Sequence, residues 1–238
     1  MKLTILIPMY NESAILPDTL RTLTTYARER FGGDYELLFV DDGSTDNSAE
    51  IVEKYADEAT RVLRYEENRG KGCAVRTGML AARGERIIFT DCDLAYGATA
   101  LGDMLAFWDA HPEADAVIGS RALHPAGYEG YSFLRRVFSR TYRMVLRVFF
   151  GLRLSDSQSG LKGFSAAAAE QIFSRCEIDL FAFDFEAIMI GDRLGLRFAE
   201  MPARVVNNRP GGKVRLVRDS LRMLRDLFRI RRRVKRMK

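Results

Sequence analysis

Two aspartates, Asp91 and Asp93, follow a short apolar run and have the clearest chemical potential in this chain. The run from Arg86 to Thr90 is rich in β-branched residues, which predicts a buried strand that ends just before Asp91. Side chains two positions apart in an extended segment point to the same side, so both carboxylates should face one site. Hard oxygen ligands suit Mg2+ or Mn2+, which completes its coordination with water and a substrate diphosphate.

Polar motifs follow two other predicted strands. The segment 8–12 (P-M-Y-N-E) comes after the first strand, and the segment 41–46 (D-D-G-S-T-D) comes after the second. The adjacent carboxylates of Asp41 and Asp42 repel each other unless a cation or a hydrogen-bond donor lies beside them. Asp46 precedes a predicted helix, and Asp is common at helix amino-termini, so we expect it to cap that helix.

A glycine-rich segment, 68–72 (N-R-G-K-G), opens the next helix. Glycine lets the backbone approach a ligand closely, and a helix amino-terminus beside Lys71 attracts a phosphate. The segment differs from the P-loop pattern, and no G-x-G-x-x-G follows the first strand, which argues against both common nucleotide-binding fingerprints and against a dehydrogenase.

Strand-like and helix-like segments alternate through the first half of the chain. The predicted strands are Leu3–Pro8, Glu36–Val40, Arg61–Tyr65, Arg86–Thr90 and Ala116–Ile118, and the predicted helices are Ala14–Arg30, Ser48–Ala56, Gly72–Ala82 and Leu101–Ala110. This alternation predicts a doubly wound α/β fold with a mostly parallel sheet and helices on both faces. We expect one domain at 1–210, followed by a basic tail at 211–238.

Two segments, 131–151 and the tail, predict amphipathic helices with rows of arginine beside rows of apolar residues. One interpretation is a pair of surface helices packed on the body with solvated arginines. Because both helices are rich in arginine and retain broad apolar faces, the pattern favours an interface with anionic lipid. An RNA-binding tail has suitable charge, but a broad apolar face does not serve RNA binding.

The formal net charge of +5 conceals an asymmetry. Residues 211–238 contain 12 basic and 2 acidic residues, a net charge of +10, which leaves −5 for the rest of the chain. Three cysteines without metal-like spacing are typical of a reducing compartment. No signal peptide and no run of about 20 apolar residues is present. We therefore expect a peripheral protein on the cytoplasmic face of a membrane.

The motifs I-P-M-Y-N-E, D-D-G-S-T-D, N-R-G-K-G, D-C-D, G-S-R and D-S-Q-S-G-L-K, in this order, closely resemble those of the inverting glycosyltransferases of family 2. The chain looks most like the polyprenyl-phosphate hexosyltransferases of that family, and the resemblance runs from Leu3 to about Arg231. It implies the GT-A fold, a divalent metal and transfer of a hexose from a sugar nucleotide to a polyprenyl phosphate.

The resemblance also implies roles for particular residues. Asp91 and Asp93 would hold the metal. The residues implied to hold the nucleoside or diphosphate of the donor are Pro8, Tyr10, Glu12, Asp42, Lys71 and Asp91, and those implied to bind the acceptor phosphate are Arg121, Arg135 and Ser139. Arg135 and Ser139 are also one helical turn apart, so both can face one oxyanion. The motif D-S-Q-S-G-L-K places Asp156 and Gln158 near the sugar or acceptor.

Two features distinguish branches of the family. Mannose synthases often carry a polar residue where this chain has Ala95, which leaves the third metal ligand undefined. The F-A-F-D-F-E stretch at 181–186 looks closer to the glucosyl branch. Within it, Asp184 and Glu186 are equally consistent with contacting the sugar and with capping a helix or opposing the arginine-rich tail.

The function predicted from the sequence is therefore transfer of glucose from UDP-glucose to a polyprenyl phosphate, with inversion, by the groups Asp93, Arg121, Arg135 and Ser139. A phosphate acceptor needs no catalytic base, because its second pKa of about 6 makes it an oxyanion at neutral pH. GDP-mannose as donor and a non-lipid acceptor are the alternatives. Polysaccharide synthases of the family usually carry Q-x-x-R-W and spanning helices, which are absent from this sequence.

Overall fold

The computed structural model describes the backbone of residues 2–129, 133–207 and 216–237, and the side chains of these residues except 133–139, 142, 216–222 and 224. Its strands are β1 (Leu3–Met9), β2 (Tyr35–Asp41), β3 (Thr60–Arg64), β4 (Arg86–Thr90), β5 (Ala116–Ser120), β6 (Leu161–Ser165) and β7 (Phe198–Pro202). Its helices are α1 (Leu16–Phe31), α2 (Ser48–Tyr55), α3 (Lys71–Ala81), α4 (Thr99–Asp109), α5 (Phe133–Phe150), α6 (Ala166–Phe173), α7 (Phe183–Arg193) and α8 (Leu216–Val234).

The strands form one sheet in the order β3-β2-β1-β4-β6-β5-β7. Neighbouring strands are parallel except β6, which runs antiparallel to both β4 and β5. The predicted doubly wound, mostly parallel sheet is thus confirmed, and the predicted boundaries in the first half differ from the observed ones by at most two residues. The strands β6 and β7 and the helix α6 are not predicted by the sequence pattern.

Alternation along the central strands builds a core on each face of the sheet. In β1, Ile5 and Ile7 pack into one buried layer and Leu6 packs into the other. In β2, Phe39 packs into the layer that contains Ile5 and Ile7, and Val40 packs into the layer that contains Leu6. A strand that is buried on both faces needs apolar side chains at every position, which explains the continuous apolar runs in the sequence.

The carboxyl ends of β1, β2, β4 and β5 lie at the same edge of the sheet. Because β6 is antiparallel, its first residue meets the same edge, where Leu161 pairs with Thr90. The segment that leads into β6 therefore joins the motifs that follow the other four strands. In open α/β sheets this edge is where ligands bind.

The helices α5 and α8, which were predicted to be amphipathic, pack on the body through some of their apolar side chains. On α8, Leu227, Ile230 and Val234 are buried in the core, whereas Phe228 is 59% exposed. On α5, Leu146 is buried while Phe149 is 58% exposed. None of the helices formed by the described residues combines the length and the apolar content needed to cross a bilayer.

Candidate functional site

The loops that follow β1 and β2 are hydrogen-bonded to each other. Asn11 N donates to Ser44 Oγ at 2.9 Å, and Thr45 N donates back to Asn11 Oδ1 at 2.8 Å. Glu12 N donates to the hydroxyl of Ser48 at 2.8 Å. Asn11 has a φ of 51°, a left-handed conformation that Asn tolerates better than most residues. The two loops thus form one wall of the site, which carries the predicted nucleoside-binding residues Tyr10 and Glu12.

The adjacent carboxylates of Asp41 and Asp42 are both buried, and each has its own partners. Asp41 Oδ2 lies 3.3 Å from Arg64 Nε, and Asp41 Oδ1 accepts a hydrogen bond from Ser44 N. Asp42 accepts three hydrogen bonds, each at 2.9 Å, from the side chain of Asn68 and from the backbone N–H groups of Arg69 and Gly70. These partners offset the repulsion between the two carboxylates that was expected from the sequence. Asp42 anchors the glycine-rich loop here, and its contact with a nucleoside stays a prediction.

Asp46 ties the start of α2 to the first loop. Its carboxylate accepts hydrogen bonds from Ser48 N at 3.0 Å and from Ser13 N at 3.1 Å. The helix begins at Ser48 with Asn47 at the cap position, and Asn47 makes no capping hydrogen bond through its side chain. Asp46 therefore supplies the helix-start hydrogen bond predicted for it, from one residue before the cap position.

The glycine-rich segment opens α3 as predicted. Gly70, the cap residue, has a φ of 110°, which favours glycine. A Cβ atom on Gly72 would lie 2.5 Å from Ile178 O, so glycine is also needed for close packing against the segment 178–180. These contacts fix the position from which Lys71, the first residue of α3, reaches towards the end of β4.

Lys71 and Asp91 form an ion pair at the centre of the site. Lys71 Nζ lies 2.5 Å from Asp91 Oδ1, and both side chains are about 70% buried. Burial by itself lowers the pKa of Lys71, but Asp91 and Asp184 outweigh it and the net pKa is raised. The ammonium is therefore charged at neutral pH and adds positive charge where a diphosphate is predicted.

The second oxygen of Asp91 faces Gly160, in the segment that leads into β6. A Cβ atom at position 160 would lie 2.0 Å from Asp91 Oδ2, so only glycine leaves room for this carboxylate. Asp93 Oδ1 accepts a hydrogen bond from Ala95 N at 3.1 Å, and Leu94 between them has a φ of 48°. A left-handed leucine is strained, and such strain is concentrated at functional sites.

A cleft of about 510 Å3 opens beside Asp93. It lies between the start of α1 and the turn that follows β4, and its walls include Thr19, Leu94 and Asn207. Asn207 Nδ2 donates to Leu94 O at 2.9 Å, which holds the last described residues before α8 against this turn. Among the described residues, no group of three or more His, Cys, Asp or Glu side chains is arranged to hold a metal ion.

Arg121 and Asp156, predicted separately, form a bidentate ion pair. Arg121 Nε and Nη2 lie 2.6 and 2.8 Å from the two oxygens of Asp156, and Arg121 N also donates to this carboxylate. Burial would raise the pKa of Asp156, but the hydrogen bonds and charge of Arg121 bring it below its usual value. Asp156 also accepts a hydrogen bond from Gln158 N at 3.2 Å.

Lys162 of β6 is the last residue of the motif D-S-Q-S-G-L-K, but no role in the site was predicted for it. Its ammonium is buried, lies 2.7 Å from Asp184 Oδ1 and donates to Ser159 O. Burial lowers the pKa of Lys162 and raises that of Asp184, because desolvation outweighs their mutual attraction. A lysine inside the apolar stretch L-K-G-F is the sequence signal that could have identified it.

Glu200 of β7 also was not predicted. Its carboxylate accepts hydrogen bonds from Ser155 N and Ser155 Oγ at 2.8 and 2.7 Å, and Ser155 Oγ lies 2.6 Å from Ser120 Oγ. Arg143 of α5 lies 3.4 Å from Ser155 O, which links the basic helix to the same segment. The end of β5 and the middle of β7 thus position the residues that follow Leu154.

Glu186 has partners other than the residues of this cluster. Its buried carboxylate pairs with Arg233 of α8 and accepts hydrogen bonds from Glu177 N and Ile178 N at 3.0 and 2.8 Å. Burial raises the pKa of Glu186 despite these partners. Of the two interpretations given for this residue, opposition to the arginine-rich tail describes its contacts, whereas Asp184 lies in the site.

Arg135 and Ser139 lie on the first two turns of α5, and their side chains are outside the described set. The remaining cluster is an alternating series of charges at one sheet edge, formed by Asp91, Lys71, Asp184, Lys162, Asp156 and Arg121. Lys71 and Lys162 both approach the ring of Phe89, at 5.5 and 5.4 Å from its centroid. Such a series can hold an anionic ligand and a cation side by side.

Comparison with known proteins identifies the family to which this chain is similar. The model of the family described as "Glycosyl transferase family 2" matches residues 4–173. A dolichyl-phosphate beta-glucosyltransferase of Drosophila melanogaster is 33% identical over 246 residues, which cover 97% of this chain and 74% of the relative.

Solved structures share the fold at low sequence identity. Glucosyl-3-phosphoglycerate synthase from Mycobacterium tuberculosis, in complex with phosphoglyceric acid, gives a TM-score of 0.74 at 18% identity, over 96% of this chain and 79% of that chain. Another crystal structure of that enzyme contains Mn2+, UDP-glucose and phosphoglyceric acid. The mannosyltransferase PcManGT from Pyrobaculum calidifontis, in complex with GDP-mannose and Mn2+, gives a TM-score of 0.68 at 22% identity, over 100% of this chain and 65% of that chain. The shared architecture is the GT-A fold of glycosyltransferases.

Proposed function

Because the chain belongs to glycosyltransferase family 2, we propose that it transfers glucose from UDP-glucose to the phosphate of a polyprenyl phosphate, with inversion at the anomeric carbon. The observation that carries the proposal is the match, along 97% of this chain, to a dolichyl-phosphate beta-glucosyltransferase. The cluster of cations and carboxylates at the sheet edge agrees with a reaction in which both substrates carry phosphate.

The residues present fit a divalent metal. Asp91 and Asp93 supply hard carboxylate oxygens, which Mg2+ and Mn2+ bind together with waters and the phosphates of a substrate. Gly160 leaves room for the carboxylate of Asp91 in its present position, because a Cβ atom at residue 160 would lie 2.0 Å from Asp91 Oδ2. When bound, the metal would neutralise charge that develops on the leaving diphosphate.

On the donor side, the chain's own residues bind and orient the nucleotide. Lys71 lies at the amino-terminus of α3, where backbone N–H groups and the helix dipole also favour a phosphate. We assign the nucleoside to the wall formed by Pro8, Tyr10 and Glu12, with Asp42 holding the loop before Lys71 in place. Charge stabilisation by such preorganised groups is a major source of rate enhancement.

On the acceptor side, we assign the lipid phosphate to Arg121 together with Arg135 and Ser139. An arginine presents a planar fork of N–H donors that suits a phosphate, and Arg121 makes a bidentate contact with Asp156. Asp156 keeps that guanidinium in a fixed orientation. Gln158 and Asp184 lie close by and are assigned to the sugar. The phosphate oxygen attacks the anomeric carbon opposite the leaving group, and no catalytic base is needed.

The acceptor is a lipid, and we propose that α5 and α8 rest on an anionic membrane surface at its cytoplasmic face. Phe150 of α5 contacts Phe228 of α8, with ring centroids 5.3 Å apart, so the two helices meet at their apolar sides. Nearby apolar side chains of Met144, Val148, Phe149 and Phe228 are more than half exposed, and Arg140, Arg147, Arg225, Arg229 and Arg232 are exposed on the same helices. Together these residues form what we call the arginine–phenylalanine surface.

A donor comparison tests the reaction. The purified protein is incubated with Mn2+ or Mg2+, a polyprenyl phosphate and either UDP-glucose or GDP-mannose, and nucleoside diphosphate release and the lipid product are measured. We expect UDP release that depends on the lipid phosphate, and a β-linked glucosyl lipid. Faster turnover of GDP-mannose would assign the donor to mannose, and release of neither nucleotide would contradict the proposal. A gel-shift with RNA tests the non-enzymatic alternative in parallel, and we expect no specific shift.

A further inference from the structure

Both carboxylate oxygens of Asp91 are in contact with other groups of the protein. Oδ1 receives the ammonium of Lys71 at 2.5 Å. Oδ2 lies against Gly160, at the point where a Cβ atom would be 2.0 Å away. Each carboxylate oxygen can accept two partners, but a divalent metal bound to Asp91 would lie close to the ammonium of Lys71 and repel it, which favours loss of that contact. Lys71 is the contact that can move, because it is held by a flexible four-carbon stem, whereas Gly160 contributes backbone.

The ion pair is partly shielded from solvent, since Lys71 and Asp91 retain only 28% and 31% of their side-chain exposure. The attraction between them is therefore stronger than in a fully exposed pair. A divalent cation at the same oxygen would also repel the ammonium. Binding of the metal and retention of the Lys71 contact consequently oppose each other.

We propose that Lys71 is an exchangeable counter-ion of Asp91, so that the metal and the nucleotide bind cooperatively. The inference rests on the proposed function, because it takes a nucleoside diphosphate as the second ligand. The diphosphate offers Lys71 a new anionic partner, and the release of Asp91 Oδ1 opens that oxygen to the metal. By thermodynamic linkage, the nucleotide then increases metal affinity by the same factor by which the metal increases nucleotide affinity.

Binding of Mn2+ and UDP to the purified protein tests this directly. Electron paramagnetic resonance measures the affinity for Mn2+ with and without UDP, in the wild-type protein and in Lys71→Met. For the wild type we expect UDP to increase Mn2+ affinity by a factor within the roughly 5–150-fold range of typical coupled sites. In Lys71→Met we expect Mn2+ alone to bind about tenfold more tightly than in the wild type, a change of about 1.4 kcal/mol.

The variant should also bind UDP with Mn2+ more weakly than the wild type, because the diphosphate loses its cationic partner. Lys71 would thus have opposite effects on the two ligands, and the coupling factor should fall towards one. The matched control is Arg69→Met, which removes an exposed positive charge two residues away and should change Mn2+ affinity by less than about twofold. Lys71→Gln gives the same test with a polar side chain if methionine impairs folding.

Two outcomes overturn the inference, and they are distinguishable. In the first outcome, the wild type binds Mn2+ with UDP and Asp91→Asn abolishes that binding, but Lys71→Met binds Mn2+ alone no more tightly than the wild type. The counter-ion role is then wrong, while the metal site stands. If the wild type does not bind Mn2+ even with UDP, or if Asp91→Asn retains binding, the metal site of the proposed function fails as well.

Discussion

At the scale of single residues, the site is built from pairs that neutralise each other. The ion pair of Arg121 and Asp156 is nearly buried, since the side chain of Asp156 is 1% exposed and that of Arg121 is 13% exposed, so loss of one partner should be strongly destabilising. We expect Asp156→Asn to lower the free energy of unfolding by about 3 kcal/mol, because it leaves a buried guanidinium without its anion. Urea denaturation at pH 7 measures this loss.

The same pair gives a pH dependence of known sign. The pKa of Asp156 in the folded protein is below its usual value, so its stabilisation is present at neutral pH and is lost as pH falls below about 4. Asp156→Asn should lack this part of the dependence of stability on acid pH.

A double variant tests the same pair. The loss of stability in Arg121→Leu/Asp156→Leu should be smaller than the sum of the losses in the two single variants. A strictly additive result would contradict the pairing.

Gly160 gives a second prediction at this scale. Gly160→Ala places a Cβ atom where Asp91 Oδ2 lies, so the carboxylate must turn away. We expect Mn2+ affinity in the presence of UDP to fall at least about tenfold, or about 1.4 kcal/mol, while the circular dichroism spectrum is retained. Gly33→Ala is the matched control, because a Cβ atom at position 33 meets no atom within 4 Å. Equal effects of the two substitutions would show that Gly160 has no particular role beside Asp91.

The sequence predicted these residues to different extents. Asp91 and Lys71 were predicted as site residues because local pattern reveals them: each follows a recognisable strand end or opens a helix. Their pairing with each other was not predicted. The pairing of Arg121 with Asp156, two residues that are 35 positions apart in the sequence, was not predicted either. Such pairs depend on which strands lie side by side, and no local signal in either segment specifies its partner.

At the scale of elements, the position of β6 accounts for much of what the sequence did not predict. The βα alternation in the first half was confirmed because each strand and helix has its own hydrophobic period. The order of strands is a global property, however, and β6 enters antiparallel between β4 and β5. That insertion brings Gly160 and Lys162 beside Asp91 and Asp184, which sequence spacing alone does not indicate.

The attachment of α8 to the body gives a prediction for a helix. Arg233 pairs with the buried Glu186 and lies 2.7 Å from Glu177 Oε1, and Glu186 in turn holds the backbone of residues 177 and 178. We expect Arg233→Met to lower the free energy of unfolding by about 2 kcal/mol, somewhat less than for a fully buried pair because Arg233 is partly exposed. Hydrogen exchange should accelerate at 177–178 and along 227–234.

Arg229 provides the control for this prediction. It lies on the same helix and 3.5 Å from Glu177 Oε2, but it is 64% exposed. Arg229→Met should therefore change stability by less than about 0.5 kcal/mol and leave hydrogen exchange at 177–178 unchanged. Similar effects of Arg229→Met and Arg233→Met would mean that α8 is held by its apolar contacts alone.

At the scale of the whole molecule, positive charge is concentrated in the tail, apart from the acidic residues of the site. The tail at 211–238 carries a net charge of +10, whereas the rest of the chain carries −5. The buried residues Leu227 and Ile230 attach part of this tail to the body, which leaves Phe228, Arg225, Arg229 and Arg232 on the outside. A molecule with this distribution would orient on an anionic membrane, and the orientation would bring a lipid phosphate towards α5.

The arginine–phenylalanine surface can be tested with vesicles. We expect Phe149→Glu and Phe228→Glu each to weaken binding to vesicles containing phosphatidylserine by about tenfold, because each variant loses an apolar contact and adds a charge that the lipid repels. Vesicle flotation measures this binding. The affinity for UDP with Mn2+ should be unchanged, since neither side chain is assigned to the nucleotide or the metal and both lie on the helices assigned to the membrane.

Tyr55→Glu is the control, because Tyr55 is 57% exposed but lies at the end of α2, outside the proposed surface. Its vesicle binding should equal that of the wild type. Raising the salt concentration should weaken wild-type binding, since screening reduces the attraction between arginines and anionic lipid while leaving the apolar contacts in place. If Tyr55→Glu weakened binding as much as Phe149→Glu, added negative charge alone would explain the result, and the assignment of a specific membrane surface to α5 and α8 would fail.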